Sequence, residues 1–213
     1  MEVITNYDEI VTSKEHIRRF RGKNVKCIDL NKESLIARYF TIDDSIPKPG
    51  VIVVSGSEGG IEKAQIIAGL LASHGYSALA VCYFGLENLP SSLEKIPLEY
   101  IENALKWMEG EQTVISDKIF IYGRSKGGEL AILAASMFKQ IKGVIANTPS
   151  NIVWQGLGKN DKPSKFSSWT YNGKEIPYLK FSIFAALKFI IKKKLGKPAQ
   201  LSDISIESLN SAN

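Results

Sequence analysis

At 213 residues, 44% hydrophobic and 23% charged, the chain has the size and mixture of an ordinary globular domain with a sizeable core, and it is neither disordered nor collagen-like. The net charge of +5 is carried by scattered lysines without an aromatic-interleaved basic stripe, so no nucleic-acid partner is expected and the charge mainly serves solubility. Two cysteines with no Cys-x-x-Cys spacing and no Cys/His cluster argue against a disulfide framework and against a metal site.

Residues 1–23 read as an N-terminal extension. They lack a basic region followed by an apolar run, and no segment approaches the about 18 apolar residues of a membrane span, so a cytoplasmic protein without a membrane span is expected. Residues 24–30 and 35–41 alternate apolar and polar side chains around the turn NKES at 31–34, which predicts an antiparallel hairpin at a sheet edge. The segment PKPG at 47–50 ends that hairpin, and the β-branched run VIVV at 51–54 predicts a strand buried on both faces. SGSEGG at 55–60 then leads into a helix through His74, closed by Gly75 as a C-terminal cap. Residues 77–82 read as another buried strand. Behind Pro97, the residues Leu98, Ile101, Leu105 and Met108 fall on one helical face. Cys27 and Cys82 both lie in predicted strands and are expected to be reduced core residues.

Residues 118–135 are the most informative stretch: a β-rich apolar run, the pattern G-x-S-x-G at 123–127, then a helix of small residues. This predicts a nucleophile elbow, in which the strand turns so sharply into the helix that Ser125 is held strained with its hydroxyl above the sheet. Gly123 and Gly127 flank the turn, where a β-carbon would collide with its neighbours. The backbone N–H of Lys126, first in the new helix, can face an oxyanion. Residues 142–146 predict one further strand. Strand and helix alternate throughout, so the expected class is α/β: one domain over 1–213, a mostly parallel sheet with helices on both faces.

From residue 151 to 178 the pattern breaks into Gly, Lys, Asp, Pro and aromatic residues, including Trp154, Trp169 and Tyr171, and predicts a lid-like insertion. Residues 178–195 then read as a helix with a broad apolar face, ending in Lys192, Lys193 and Lys194, where positive charge suits the helix dipole or an anionic group. An elbow serine needs a histidine to take its proton and an acid to orient that histidine, in the order Ser, Asp or Glu, His. The only histidines, His16 and His74, both precede Ser125. Asp161, Glu175, Asp203 and Glu207 follow it with no imidazole to orient. His16 reads as a surface residue, and His74, at a helix C-terminus, as structural.

These motifs resemble a known family, the α/β-hydrolase domain shared by acyl-CoA thioesterases and bile acid-CoA:amino acid N-acyltransferase, close to dienelactone hydrolase. The resemblance runs from about Leu35 and is carried by PGVIVVSGSEGG at 49–60, LASHGYSALA at 71–80, YFGLENLP at 83–90, LEYIE at 98–102, GRSKGGE at 123–129 and YNGKEIP at 171–177. It implies an α/β-hydrolase fold, Ser125 as the nucleophile, and an acyl-CoA thioester or ester substrate with no cofactor; serine rather than the transferase's cysteine favours hydrolysis and a place in fatty acid metabolism. It also sets the loop after residue 54 beside the elbow, where the backbone N–H of Ser57 or Glu58 would complete the oxyanion hole. A phosphate-cradling role for that loop is disfavoured, since neither G-x-x-x-x-G-K-[ST] nor G-x-G-x-x-G occurs there. Relatives usually carry an N-terminal β-sandwich domain with no counterpart here. In the family, a segment like 203–209 leads to a strand bearing the catalytic Asp and then to a Gly-His pair, so the resemblance implies truncation before acid and base, with the last strands missing and the 142–146 strand left as an apolar edge open to self-association. A dienelactone-type esterase and a non-catalytic acyl-binding remnant are the alternatives.

Overall fold

In a computed structural model, residues 2–4, 10–13, 20–32, 34–158, 162–198 and 201–210 are described. Strands β1 (Glu2–Ile4) and β2 (Ile10–Ser13) pair with each other as a short antiparallel ribbon. The predicted hairpin is β3 (Val25–Lys32) and β4 (Leu35–Ile42), fully in register from Val25↔Ile42 to Lys32↔Leu35. Strand β5 (Lys48–Val54) starts three residues before the β-branched run, so the Pro-Gly segment belongs to it. Pro49 is tolerated because the ladder to its neighbour shifts register between Pro49 and Gly50, where no regular N–H partner is required.

Helix α1 (Glu62–Ser73) is capped by His74, and Gly75 takes the left-handed backbone expected of it, φ 87°. After β6 (Ser77–Cys82) and the short β7 (Ile96–Pro97), helix α2 (Glu99–Gly110) buries the predicted stripe of Ile101, Leu105 and Met108. Strand β8 (Val114–Arg124), helix α3 (Lys126–Met137) and β9 (Ile141–Asn147) complete the alternating part of the chain.

The six-stranded sheet has the order β3-β4-β6-β5-β8-β9, antiparallel at its first two pairings and parallel across the last four strands. Because alternate strand residues face opposite sides, Val51 and Val53 pack with Ala64, Ala68 and Ala72 of α1, while Ile52 and Val54 pack with α2 and α3 through Ile101, Leu105, Leu130 and Ala134. Helices therefore cover both faces, as the alternation predicted. Cys82 is buried and Cys27 only half-buried, and neither is in a disulfide. β9 is the outer strand, with Val144 exposed and Ile145 51% exposed.

The 151–178 segment, read from sequence as irregular, carries strands of its own: β10 (Gln155–Leu157) against β11 (Pro163–Ser167), and β12 (Trp169–Tyr171) between β13 (Lys174–Glu175) and β7. Trp169 is fully buried in the main core. The predicted helix from 178 begins later, as α4 (Ile183–Lys194), where the Ser182 hydroxyl accepts the Ala185 N–H as an N-cap. Residues 178–182 are instead drawn out along β10 by backbone bonds between Leu179 and both Val153 and Gln155. Helix α5 (Leu201–Asn210) follows. Among the described residues, no helix is long and apolar enough to cross a membrane.

Candidate active site

At the carboxyl end of β8 the backbone takes the turn that the G-x-S-x-G pattern predicts. Ser125 has φ 54° and ψ −120°, a conformation that costs a non-glycine residue about 1–3 kcal/mol and persists only where its surroundings impose it. The restraints are visible. Its N–H donates to Asn147 O on β9 (2.9 Å), and its carbonyl accepts from Gly128 (2.9 Å) and Glu129 (3.2 Å) as α3 begins. A β-carbon on Gly123 would lie 2.0 Å from Gly127 O, and one on Gly127 2.1 Å from Ser55 O. Both clashes are with backbone and cannot be relieved by a rotamer. Gly127→Ala is expected to destabilise the fold by about 3 kcal/mol, the upper end of the overpacking range, whereas Gly110→Ala, with open space around it, should be neutral or slightly stabilising; urea midpoints of the two variants check this.

The loop after β5 lies against the elbow. A β-carbon on Gly56 would sit 2.9 Å from Arg124 O and 3.3 Å from Ser125 Cβ. The loop is held by the YFG segment that follows β6: the buried Tyr83 hydroxyl donates to Ser55 O (2.6 Å), Gly60 N–H donates to Phe84 O (3.1 Å), and Gly59 at φ 64° leaves room for the Phe84 ring. Burial pushes the Tyr83 phenol well above its ordinary value, which keeps the hydroxyl protonated as a donor. Ser57 lines the cavity beside Ser125 and Lys126. Glu58 turns away into a neighbouring cleft, where its carboxylate pairs with Arg124 at 2.6 Å. Burial opposes the charge of Glu58, but its own backbone and Arg124 outweigh that and hold the carboxyl below the usual range.

A buried charge cluster sits one turn into α3. Lys126 Nζ pairs with both Glu129 oxygens (2.7 and 2.9 Å), and Glu129 also accepts Trp169 Nε1–H (2.9 Å) and the Trp154 N–H (3.3 Å). Lys126 Nζ further donates to Trp154 O at 3.3 Å. Burial pushes the Glu129 carboxyl up and the Lys126 ammonium down, each opposed by the partner's charge. The 151–178 segment is thus tied to the elbow helix through Glu129, a role the sequence reading did not assign to that residue. The available signal was a lone Glu on a helix face otherwise made of Gly, Ala and Leu.

Ser125, Lys126 and Ser57 border a cavity of about 530 Å³ whose apolar walls include Ile152, Trp154, Leu157, Ile206 and Leu209. Ser125 is half-buried, and no described side chain hydrogen-bonds its hydroxyl. Trp154, stacked on Phe181 at 4.8 Å, faces this cavity, whereas Trp169 lies in the core. His74 is exposed and bonds Leu70 O through Nδ1 at 2.9 Å; His16 and Asp161 lie outside the described residues. Of the downstream acids, Glu175 accepts the Ser167 N–H, and Asp203 and Glu207 pair with Lys192 and Lys188 of α4. No group of three or more His, Cys, Asp or Glu capable of holding a metal ion is present among the described residues.

Residues 96–212, more than half of the chain, match the family model described as BAAT / Acyl-CoA thioester hydrolase C terminal. The chain belongs to this family. Human acyl-coenzyme A thioesterase 6 is 32% identical over 149 residues, covering 68% of this chain and 35% of that protein. Rat acyl-coenzyme A thioesterase 1 is 32% identical over 130 residues, covering 61% and 30%. The chain therefore spans about a third of the length of these curated relatives. Among solved structures, a proposed dienelactone hydrolase from Klebsiella pneumoniae superposes with a TM-score of 0.52 at 19% identity, covering 69% of this chain and 70% of that one. Esterase Est22 superposes with a TM-score of 0.51 at 22% identity, covering 67% and 47%. These likenesses show the α/β-hydrolase fold that the sequence resemblance implied.

Proposed function

We propose that this chain supplies the nucleophile and oxyanion hole of an acyl-CoA thioester hydrolase. Ser125 Oγ attacks the thioester carbonyl carbon and gives its proton to a base. The C–S bond breaks, the thiolate leaves and takes up that proton, and the acyl-serine ester is then hydrolysed by water. The developing oxyanion is received by the Lys126 N–H at the start of α3 and by an N–H of the β5 loop, Ser57 or Glu58. Ser57 borders the cavity and the Glu58 side chain is turned to Arg124, which supports Ser57 over Glu58. The observation that carries this reading is the strained Ser125 backbone at the edge of a cavity with both polar and apolar walls, in a chain of the thioester hydrolase family.

A second reading has its own support: no histidine follows Ser125 in the 213 residues, and an elbow without an imidazole binds acyl groups without turning them over. Fusing the C-terminal segment of a family member after residue 213 separates the two. The chimera is expected to cleave fatty acyl-CoA in preference to small p-nitrophenyl esters, with kcat/KM rising up to about fourfold per added methylene until the cavity is filled, from about 0.8 kcal/mol per buried CH2. A folded chimera without activity would favour the binding reading. One active on short esters with no chain-length dependence would favour a dienelactone-type esterase.

A further inference from the structure

Helix α4 turns its largest apolar side chains outward. Phe184 is 84% exposed, Ile191 55% and Leu195 64%, with Leu187 and Ile190 also exposed. At about 100° per residue, Phe184, Leu187, Ile191 and Leu195 form a single stripe. The flank beside the stripe is the one held in place: Ala185 is buried, and Lys188 and Lys192 pair with Glu207 (2.6 Å) and Asp203 (3.7 Å) of α5. A helix packed through one side and solvated on the other carries polar residues on its free face. Five large apolar side chains clustered there mark a surface built for contact.

The charge says what kind. Residues 183–197 contain Lys188, Lys192, Lys193, Lys194 and Lys197 and no Asp or Glu. Lys193, Lys194 and Lys197 make no ion pair among the described residues and are exposed around the C-terminal end of the apolar stripe. We infer that α4 docks on an anionic phospholipid surface, with the Phe184, Leu187, Ile191 and Leu195 stripe among the outer acyl methylenes and the lysine ammoniums at the level of the phosphates. A second copy of this chain is the poorer occupant, because it would set an acid-free, lysine-rich helix against its own like, in a molecule of net charge +5. Helix α5, which packs on α4, lends Ile206 and Leu209 to the cavity beside Ser125. The inference rests on α4 alone and holds whether or not Ser125 is a nucleophile.

Co-sedimentation of the 213-residue chain with vesicles tests it, using phosphatidylcholine alone and phosphatidylcholine mixed with phosphatidylglycerol, at low and at physiological salt. The expected result is binding to the mixed vesicles that weakens as salt is raised, and little binding to neutral ones. The variant Lys193→Gln/Lys194→Gln/Lys197→Gln should lower partitioning about a hundredfold, about fivefold for each lysine at about 1 kcal/mol apiece. Leu187→Ser/Ile191→Ser should lower it at least as much, with unchanged far-UV circular dichroism since both side chains are exposed. The inference is overturned by absence of binding, by equal binding to both vesicle types, by unchanged binding of the lysine variant, or by light scattering that shows a dimer dissociated by Leu187→Ser/Ile191→Ser.

Discussion

The 213-residue chain on its own is expected to hydrolyse acyl-CoA about 10⁶-fold more slowly than a complete serine triad, because loss of the histidine alone removes nearly all the benefit of the nucleophile. What remains is the contribution of oxyanion donors and binding, about 10³–10⁴ over water. His74 cannot serve as the base. Ser77 on β6 and Ile119 on β8 are both in register with Gly50 of β5, so these strands run side by side in the same direction. His74 precedes the start of β6, whereas Ser125 lies six residues beyond Ile119, about 20 Å further along at 3.3 Å per residue. A thiol-release assay should therefore give a rate that Ser125→Ala barely changes. Robust turnover abolished by Ser125→Ala would require a base other than His74 and would overturn this expectation.

The largest effect on stability is expected at Glu129. Its carboxylate neutralises a buried ammonium and accepts the Trp169 indole N–H and the Trp154 backbone N–H, so Glu129→Leu leaves Lys126 as an unpaired cation and strands both donors. Removing one partner of a buried pair costs about 3–5 kcal/mol. In a chain of this length that corresponds to a fall of about 10 °C in Tm. The double variant Lys126→Met/Glu129→Leu should recover part of the loss, since the uncompensated charge is gone while the orphaned N–H groups still cost about 1–3 kcal/mol each. A Glu129→Leu variant that melts with the parent chain would show that the cluster is solvated and does not tie the 151–178 segment to α3.

What the sequence made legible follows from range. The hairpin, the β-branched run of β5, the buried stripe of α2 and the elbow all announce themselves within a few residues, through alternation, a 3.6-residue period or Gly spacing, and each appears where expected. Pairings between distant segments left no such mark. β12 is only three residues long and is defined by its parallel partner β7, more than seventy positions earlier. Trp169 read as a lid residue because its partner Glu129 lies forty residues away. The Tyr83 hydroxyl that clamps the β5 loop was hidden for the same reason, at a separation of 28 residues. Helix α4 begins late because residues 178–182 extend along β10, a competition the helical period alone does not register.

In the proposed reaction Ser125 forms the acyl-enzyme. Mass spectrometry of the histidine-completed chimera, quenched during turnover of a slowly hydrolysed fatty acyl-CoA, tests it most directly. One acyl adduct is expected, on the peptide that carries Ser125, absent from the Ser125→Ala variant, which should also be inactive. An adduct on another residue, or hydrolysis that survives Ser125→Ala, would contradict it.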